Sequence, residues 1–242
     1  MLSARPSPSG SKKSDLNWGA PVDIYCERLS AAFWAEPINA FSNVAFIIAA
    51  FVAWRTARRL GVRGVDLTAL IVLAGLVGIG SFLFHTFANR WSELADVVPI
   101  WTFVAVLVLV AIHRIGGVRP GKLAMGAIGV LAIMIIVMLA SGEGDAATSP
   151  TPPILNGSLQ YAPAVIAMLV FSLIGWWRAS PMAPWIWAAT GTFVISLAFR
   201  TVDLALCDVW ATGTHFIWHA LNGLMIGLLL DGMIRLRARP PG

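Results

Sequence analysis

Charge is what this 242-residue chain has least of. Asp, Glu, Lys and Arg make up 12% of it, against 58% for hydrophobic residues, whereas a soluble domain carries about 25% charged residues. The shortage excludes a water-exposed globule, and the apolar wealth excludes a disordered chain. Residues 1–14 hold no apolar run, so no signal peptide is expected there and the first apolar span serves as its own insertion signal. No internal repeat, glycine-rich phosphate loop or nucleotide motif stands out, and the alternating pattern of a membrane β-barrel is missing. The net charge of +5 does not point to nucleic acid, because most of the basic residues flank apolar runs, where topology-setting charges belong.

What is present is a series of long apolar runs. Seven are of spanning length for a hydrocarbon core about 30 Å thick: 39–56, 66–88, 94–113, 121–141, 157–177, 183–203 and 213–234. The expected fold is an all-α, polytopic membrane protein, a seven-helix bundle. Around it lie a disordered tail at 1–20, a segment at 21–38 outside the membrane, the helical domain at 39–235 and a short tail at 236–242. The loop at 141–156, free of Lys and Arg, is expected to be mobile. Basic residues set the orientation. Arg55, Arg58, Arg59, Arg63, Arg114, Arg119, Lys122, Arg178, Arg235, Arg237 and Arg239 fall on one side, and only Arg28, Arg90 and Arg200 lie close to the membrane on the other. The expectation is an outer N-terminus and a cytoplasmic C-terminus.

That orientation assigns depths. Ser81 and His85 lie near the outer end of the second span, Asp96 near the outer start of the third, and His215 and His219 at the outer start of the seventh. His113 falls at the opposite end and reads as interfacial. His215 and His219 stand four apart, on one helical face. The pair alone is a modest signal, with two interfacial histidines bonded to neighbours as the alternative; a third histidine at the same depth strengthens it. Ionisable groups inside a membrane are costly and usually mark function. Three imidazoles around Zn²⁺ leave a fourth position for water, whose pKa the ion lowers to about 7. Asp96 is then placed to accept the water's proton, and Ser81, one turn before His85, to donate to a carbonyl oxygen. The competing readings are a helix cap for Asp96 and a back-bond to the Val77 carbonyl for Ser81.

Three segments, DIYCERLSAAFWAEPINAFSN (23–43), GIGSFLFHTFANRWSELADVVP (78–99) and GTHFIWHALNGL (213–224), resemble the alkaline ceramidases. These belong to a superfamily of seven-helix membrane hydrolases that includes the progestin and adipoQ receptors. The resemblance covers about residues 20–235. It rests on S-x-x-x-H at Ser81 and His85, the aspartate eleven residues on at Asp96, and H-x-x-x-H at His215 and His219. It implies zinc on His85, His215 and His219, catalytic roles for Asp96 and Ser81, and hydrolysis of the amide of ceramide or a related N-acyl lipid to a fatty acid and a long-chain amine.

The resemblance also implies a calcium site with Asp23, Glu27 and Glu36 as its carboxylates. The spacings among these three depart from the family pattern, while Glu36-x-x-Asn39 fits it. Without calcium, Glu27 pairs with Arg28 or solvent and Glu36 caps an interfacial turn. Cys26 and Cys207 are the only cysteines, and the resemblance implies a disulfide between them, with two free buried thiols as the alternative. Gly75, Gly78 and Gly80 suggest close helix packing, Asn39 and Asn43 inter-helix bonds, and Trp34, Trp91, Trp101, Trp176, Trp177, Trp185 and Trp210 an interfacial belt. Trp218 is expected to face lipid or a neighbouring helix. Arg200 and Asp203, at the level of the histidines, either pair or hold a lipid headgroup. Two other classes compete with the enzyme: a lipid-sensing receptor or regulator with a structural zinc, and a transporter. The very short cytoplasmic tail weighs against the first, and the confinement of polar groups to one side against the second.

Overall fold

The computed structural model describes residues 17–114, 116–129 and 154–238. The architecture is all-helical. A short helix α1 (Pro37–Ser42) runs almost straight into α2 (Val44–Arg59); α3 (Val65–Phe87) and α4 (Arg90–Arg114) follow. Residues 120–129 form a further helix, α5. A 3₁₀ segment (Ile154–Tyr161) leads into α6 (Ala162–Trp177), then α7 (Ala183–Val202) and α8 (His215–Ala238). Among the described residues six spans are long and apolar enough to cross a membrane. The rest of the expected fourth span, 121–141, lies outside the described residues, as does most of the 141–156 loop.

Packing runs in the order α4, α3, α2, α8, α7, α6, with α8 the most enclosed helix and α4 and α6 the least. Small side chains make this possible. The face of α2 turned inward is Ala49, Ala50, Ala53 and Ala57, while Ile48, Phe51 and Val52 point outward, the pattern expected where lipid competes equally well for large apolar groups. Gly223 of α8 lies so close to α2 that a Cβ there would come within 2.6 Å of the Ala45 methyl.

The start of one helix and the order of the N-terminal residues beside it differ from the sequence expectation. Helix α4 starts at Arg90, several residues before 94, because Asn89 and Ser92 form a reciprocal cap. The Ser92 N–H donates to Asn89 Oδ1 at 3.1 Å, and the Asn89 N–H to Ser92 Oγ at 3.0 Å. Residues 17–20, placed above in a disordered tail, are held against this start: the Arg90 N–H donates to the Ala20 carbonyl at 3.1 Å and the Trp91 N–H to that of Trp18 at 3.2 Å. At the far end of the bundle Asp66 accepts from Arg237 at 2.5 and 3.1 Å and from Arg114 at 3.4 Å, locking α3, α4 and α8 together.

Candidate metal centre

At the end of the bundle opposite Asp66, three buried imidazoles converge. His85 comes from the last turn of α3, and His215 and His219 from the first two turns of α8. Their ring centroids are 4.5 to 5.3 Å apart, and one ring nitrogen of each lies within 4.8 Å of the others. His113 is remote from them, bonded through Nδ1 to the Val118 carbonyl at 2.9 Å.

Local chemistry holds each ring. The start of α8 is capped by Asp203, whose Oδ1 accepts the N–H groups of Thr214 at 2.6 Å and His215 at 3.0 Å. Residue 213 must be glycine for this. Its φ is +61°, and a Cβ would meet Asp203 Oδ1 at 2.2 Å and the Cys26 Cβ at 2.8 Å. Cys26 forms a disulfide with Cys207, their Cα atoms 5.2 Å apart, so the N-terminal segment is clamped over the same corner. Asp203 therefore serves as a cap and does not pair with Arg200.

Hydrogen bonding assigns the tautomers of two rings. His85 Nδ1 lies 2.5 Å from Glu36 Oε2, while the other oxygen of that carboxylate is bound by Arg28. Burial alone would raise the Glu36 pKa, but the hydrogen bond from His85 and the Arg28 guanidinium outweigh it and hold the carboxyl below its ordinary range. An ionised carboxylate only accepts, so His85 Nδ1 carries the proton. His219 Nδ1 lies 2.7 Å from Ser42 Oγ, whose own hydroxyl donates to the Asn39 carbonyl at 2.7 Å. The Ser42 oxygen is thus the acceptor, and His219 Nδ1 also carries its proton. Both Nε2 atoms are then bare lone pairs, and they face each other at 3.2 Å. Two such lone pairs repel unless a cation lies between them. A tetrahedral zinc with Zn–N bonds of about 2.0 Å separates its ligands by about 3.3 Å. The buried Nδ1 of His215 has no hydrogen-bond partner. These residues fit a metal ion of that kind.

Asp96 sits in the second turn of α4, clear of the Asn89 cap, so the capping alternative does not hold. Its Oδ1 is buried and unpartnered. Ser81, buried in α3 next to Gly80, faces the same stretch of α4. The approach of α3 to α4 that joins them runs through Gly80, where a Cβ would fall 2.0 Å from the Ala95 carbonyl oxygen. That carbonyl lacks its usual helical donor because the residue four positions on is Pro99. Gly78 plays the matching part against α2, whereas Gly75 meets nothing within 4 Å.

The three carboxylates assigned above to calcium are not gathered into one ligand set. Asp23 is exposed, and both oxygens of Glu27 accept backbone N–H groups, from Ile38 at 2.7 Å and Asn39 at 2.8 Å. Glu36 is fully engaged by Arg28, His85 and Asn39. A permanent cation, the buried Arg28 guanidinium, already binds the Glu36 carboxylate and the carbonyls of Ser30 at 3.2 Å and His85 at 3.1 Å. This donor set does not fit calcium. The roles of the two glutamates are also the reverse of the calcium-free expectation: Glu36 pairs with Arg28, and Glu27 caps the turn into α1. Asn39 and Asn43 bond within their own segment and to Glu36, without bridging helices.

Sequence reasoning missed Tyr25, Arg28 as a partner of Glu36, and Ser42. Tyr25 stacks on His215, ring centroids 3.7 Å apart; burial pushes its phenol pKa up, so the ring stays neutral. Its position beside Cys26 was the available signal. Below the histidines an apolar cavity of about 390 Å³ runs between α4, α6 and α8, lined at the near end by Phe46, Val77, Tyr161 and Trp218 and at the far end by Arg114 and Arg237. Trp218 is buried in that wall, against Tyr161 and Phe193.

A membrane-spanning helical bundle with a buried three-histidine cluster above a lipid-sized cavity is the class of protein these features define. The Ceramidase family model matches residues 19–238, and the chain belongs to that family. No individual curated protein matches it. Membership makes the chain a membrane amidohydrolase of ceramide-like lipid.

Proposed function

We propose that hydrolysis here depends on zinc held by His85, His215 and His219. The facing bare Nε2 atoms of His85 and His219, 3.2 Å apart, carry that reading. When bound, the ion would supply a water acidified to near neutrality and a Lewis acid for the amide carbonyl. Glu36 and Ser42 keep the two outer nitrogens protonated and so keep the inner lone pairs turned inward. Asp96, with one oxygen free, takes a proton from the attacking water and returns it to the leaving nitrogen. The water oxygen bonds to the carbonyl carbon, the C–N bond breaks, and the products are a carboxylic acid and an amine. Ser81 donates to the carbonyl oxygen as its charge grows, or orients Asp96, to which it is adjacent. The cavity beneath takes one hydrocarbon chain and excludes water from it.

A receptor with a structural zinc is the poorer reading. Structural zinc sites close with four protein ligands, and three histidines with a free carboxylate nearby suit an open, catalytic one. The basic residues at the ends of α2, α4, α6 and α8 support a cytoplasmic C-terminus and an outer-facing centre.

The test combines metal analysis with released fatty acid. Purified protein is expected to carry one zinc and to lose turnover with a chelator, recovering it on zinc addition. His85→Ala and His219→Ala should lose both metal and hydrolysis. Asp96→Asn should keep the metal and lose about 10²–10⁴-fold in rate. Full activity in metal-free protein would overturn the proposal.

A further inference from the structure

The family resemblance assigns a calcium ion to the segment that carries Asp23, Glu27 and Glu36, and in this chain that segment supplies a positive charge of its own. The Arg28 guanidinium is buried, 7% exposed, and donates to three oxygens from separate places in the chain. Its Nε reaches a carboxylate oxygen of Glu36, Nη1 the Ser30 carbonyl at 3.2 Å and Nη2 the His85 carbonyl at 3.1 Å. A carboxylate and two carbonyls are the oxygen types that calcium takes, but calcium needs about six to eight of them. The other two carboxylates do not contribute: Asp23 is exposed, and Glu27 gives both oxygens to the N–H groups of Ile38 and Asn39. A calcium ion on Glu36 would also stand beside a buried guanidinium of like charge.

Two of the three contacts converge on His85. A continuing helix would give the Asn89 N–H to the His85 carbonyl, but that N–H goes to Ser92 Oγ at 3.0 Å. Arg28 supplies the orphaned carbonyl at the end of α3 with a donor instead. Glu36, bound by Arg28 through one oxygen, meets Nδ1 of the same histidine at 2.5 Å with the other. Arg28 therefore holds His85 twice, directly by its backbone and through Glu36 by its ring. No ion is needed to bring the guanidinium there. The Cys26 disulfide lies two residues before it, and Glu27, next to it, is bonded to the start of α1.

We propose that Arg28 is a tethered substitute for calcium: it neutralises Glu36 and fixes His85 by ring and backbone, so that this chain binds zinc and hydrolyses its substrate without calcium. Arg28 is a positioning residue and acts through Glu36 and His85. A planar fork of N–H donors suits the task, since it can meet a carboxylate and two carbonyls at once. Unlike an ion it cannot dissociate, so the geometry of His85 does not follow the calcium concentration. The effect on zinc rests on the reading of the three histidines given above; the substitution for calcium does not.

The test uses the full chain in phosphatidylcholine nanodiscs, in buffers freed of calcium by a chelating resin and supplied with zinc. Elemental analysis of the parent is expected to find no calcium. Thermal unfolding and fatty-acid release from ceramide are then followed with calcium at about 10 mM, above the range of weak calcium modules, and with magnesium at the same concentration as control. A bound calcium ion would raise the unfolding midpoint by roughly 3–6 °C; the parent is expected to show no calcium-specific rise and no change in release. Stoichiometric calcium in the parent, a calcium-specific rise or calcium-dependent release would overturn the proposal. Zinc affinity, titrated against a competing chelator, is expected to fall about 10–100-fold in Arg28→Ala and less in Arg28→Lys. Combining Arg28→Ala with Glu36→Gln should cost much less than the product of the two single losses, because the arginine acts through the glutamate. Losses that multiply, or undiminished affinity in Arg28→Ala, would overturn the positioning role. If Arg28→Ala does not fold, Arg28→Lys and the parent's response to calcium decide the matter. A parent that takes up no zinc sinks the zinc reading and leaves the calcium result standing; a zinc-loaded, active parent that responds to calcium does the reverse.

Discussion

Glu36 illustrates how one side chain can matter without touching a reacting atom. It accepts the Nδ1 proton of His85 and is neutralised on its other side by Arg28, so the imidazole has one tautomer and one orientation. Glu36→Gln offers an amide that can donate as well as accept, and removes the charge. Zinc affinity, read by titration against a competing chelator, is expected to fall roughly 10–100-fold; undiminished affinity would show that the carboxylate does not set the tautomer. Sequence reading singled out Glu36 but gave it to calcium, because a carboxylate near a membrane surface looks the same whether its partner is an ion or an arginine. The histidines and Asp96 were legible, since spacing and depth already limit where a helical side chain can project. Tyr25, Arg28 and Ser42 were not, because their partners come from elements distant in the chain.

The helices themselves were readable from apolar run length, and their errors lie at the ends. Asn89 and Ser92 cap α4 through side-chain oxygens, a local signal that a hydropathy count passes over. Gly80 is the critical small residue of α3. Replacing it with alanine drives a methyl into the Ala95 carbonyl, 2.0 Å away; because the obstacle is backbone, α3 and α4 must separate. Gly80→Ala is expected to cost about 1–3 kcal/mol of stability, seen as a lower midpoint in thermal unfolding in detergent. It should also reduce turnover, since the same movement draws Ser81 from Asp96. Gly75→Ala, with nothing within 4 Å of its Cβ position, is the matched control and should leave the midpoint close to that of the parent.

Across the whole molecule, two clamps hold opposite ends of the bundle. Asp66 with Arg114 and Arg237 joins three helices at the end assigned to the cytoplasm, and the Cys26–Cys207 disulfide joins segments 181 residues apart at the other. Replacing both cysteines by serine should abolish the mobility shift seen on reduction in gel electrophoresis. It should also lower the unfolding midpoint by the equivalent of roughly 2–4 kcal/mol, toward the low end because inserted helices already confine the unfolded chain. Loss of the disulfide also frees the N-terminal segment that carries Glu36 and Tyr25, so zinc affinity should drop with it.

Composition and periodicity were enough to establish a helical membrane protein, the approximate spans and the common depth of three histidines and an aspartate. Those properties follow from hydrophobic transfer energies and helical repeat, which act residue by residue along the chain. Which nitrogens are bare and which cation neutralises Glu36 are consequences of contact between remote elements. Such contacts depend on helix approach distances, set here by Gly80, Gly213 and Gly223, and no one-dimensional pattern encodes them.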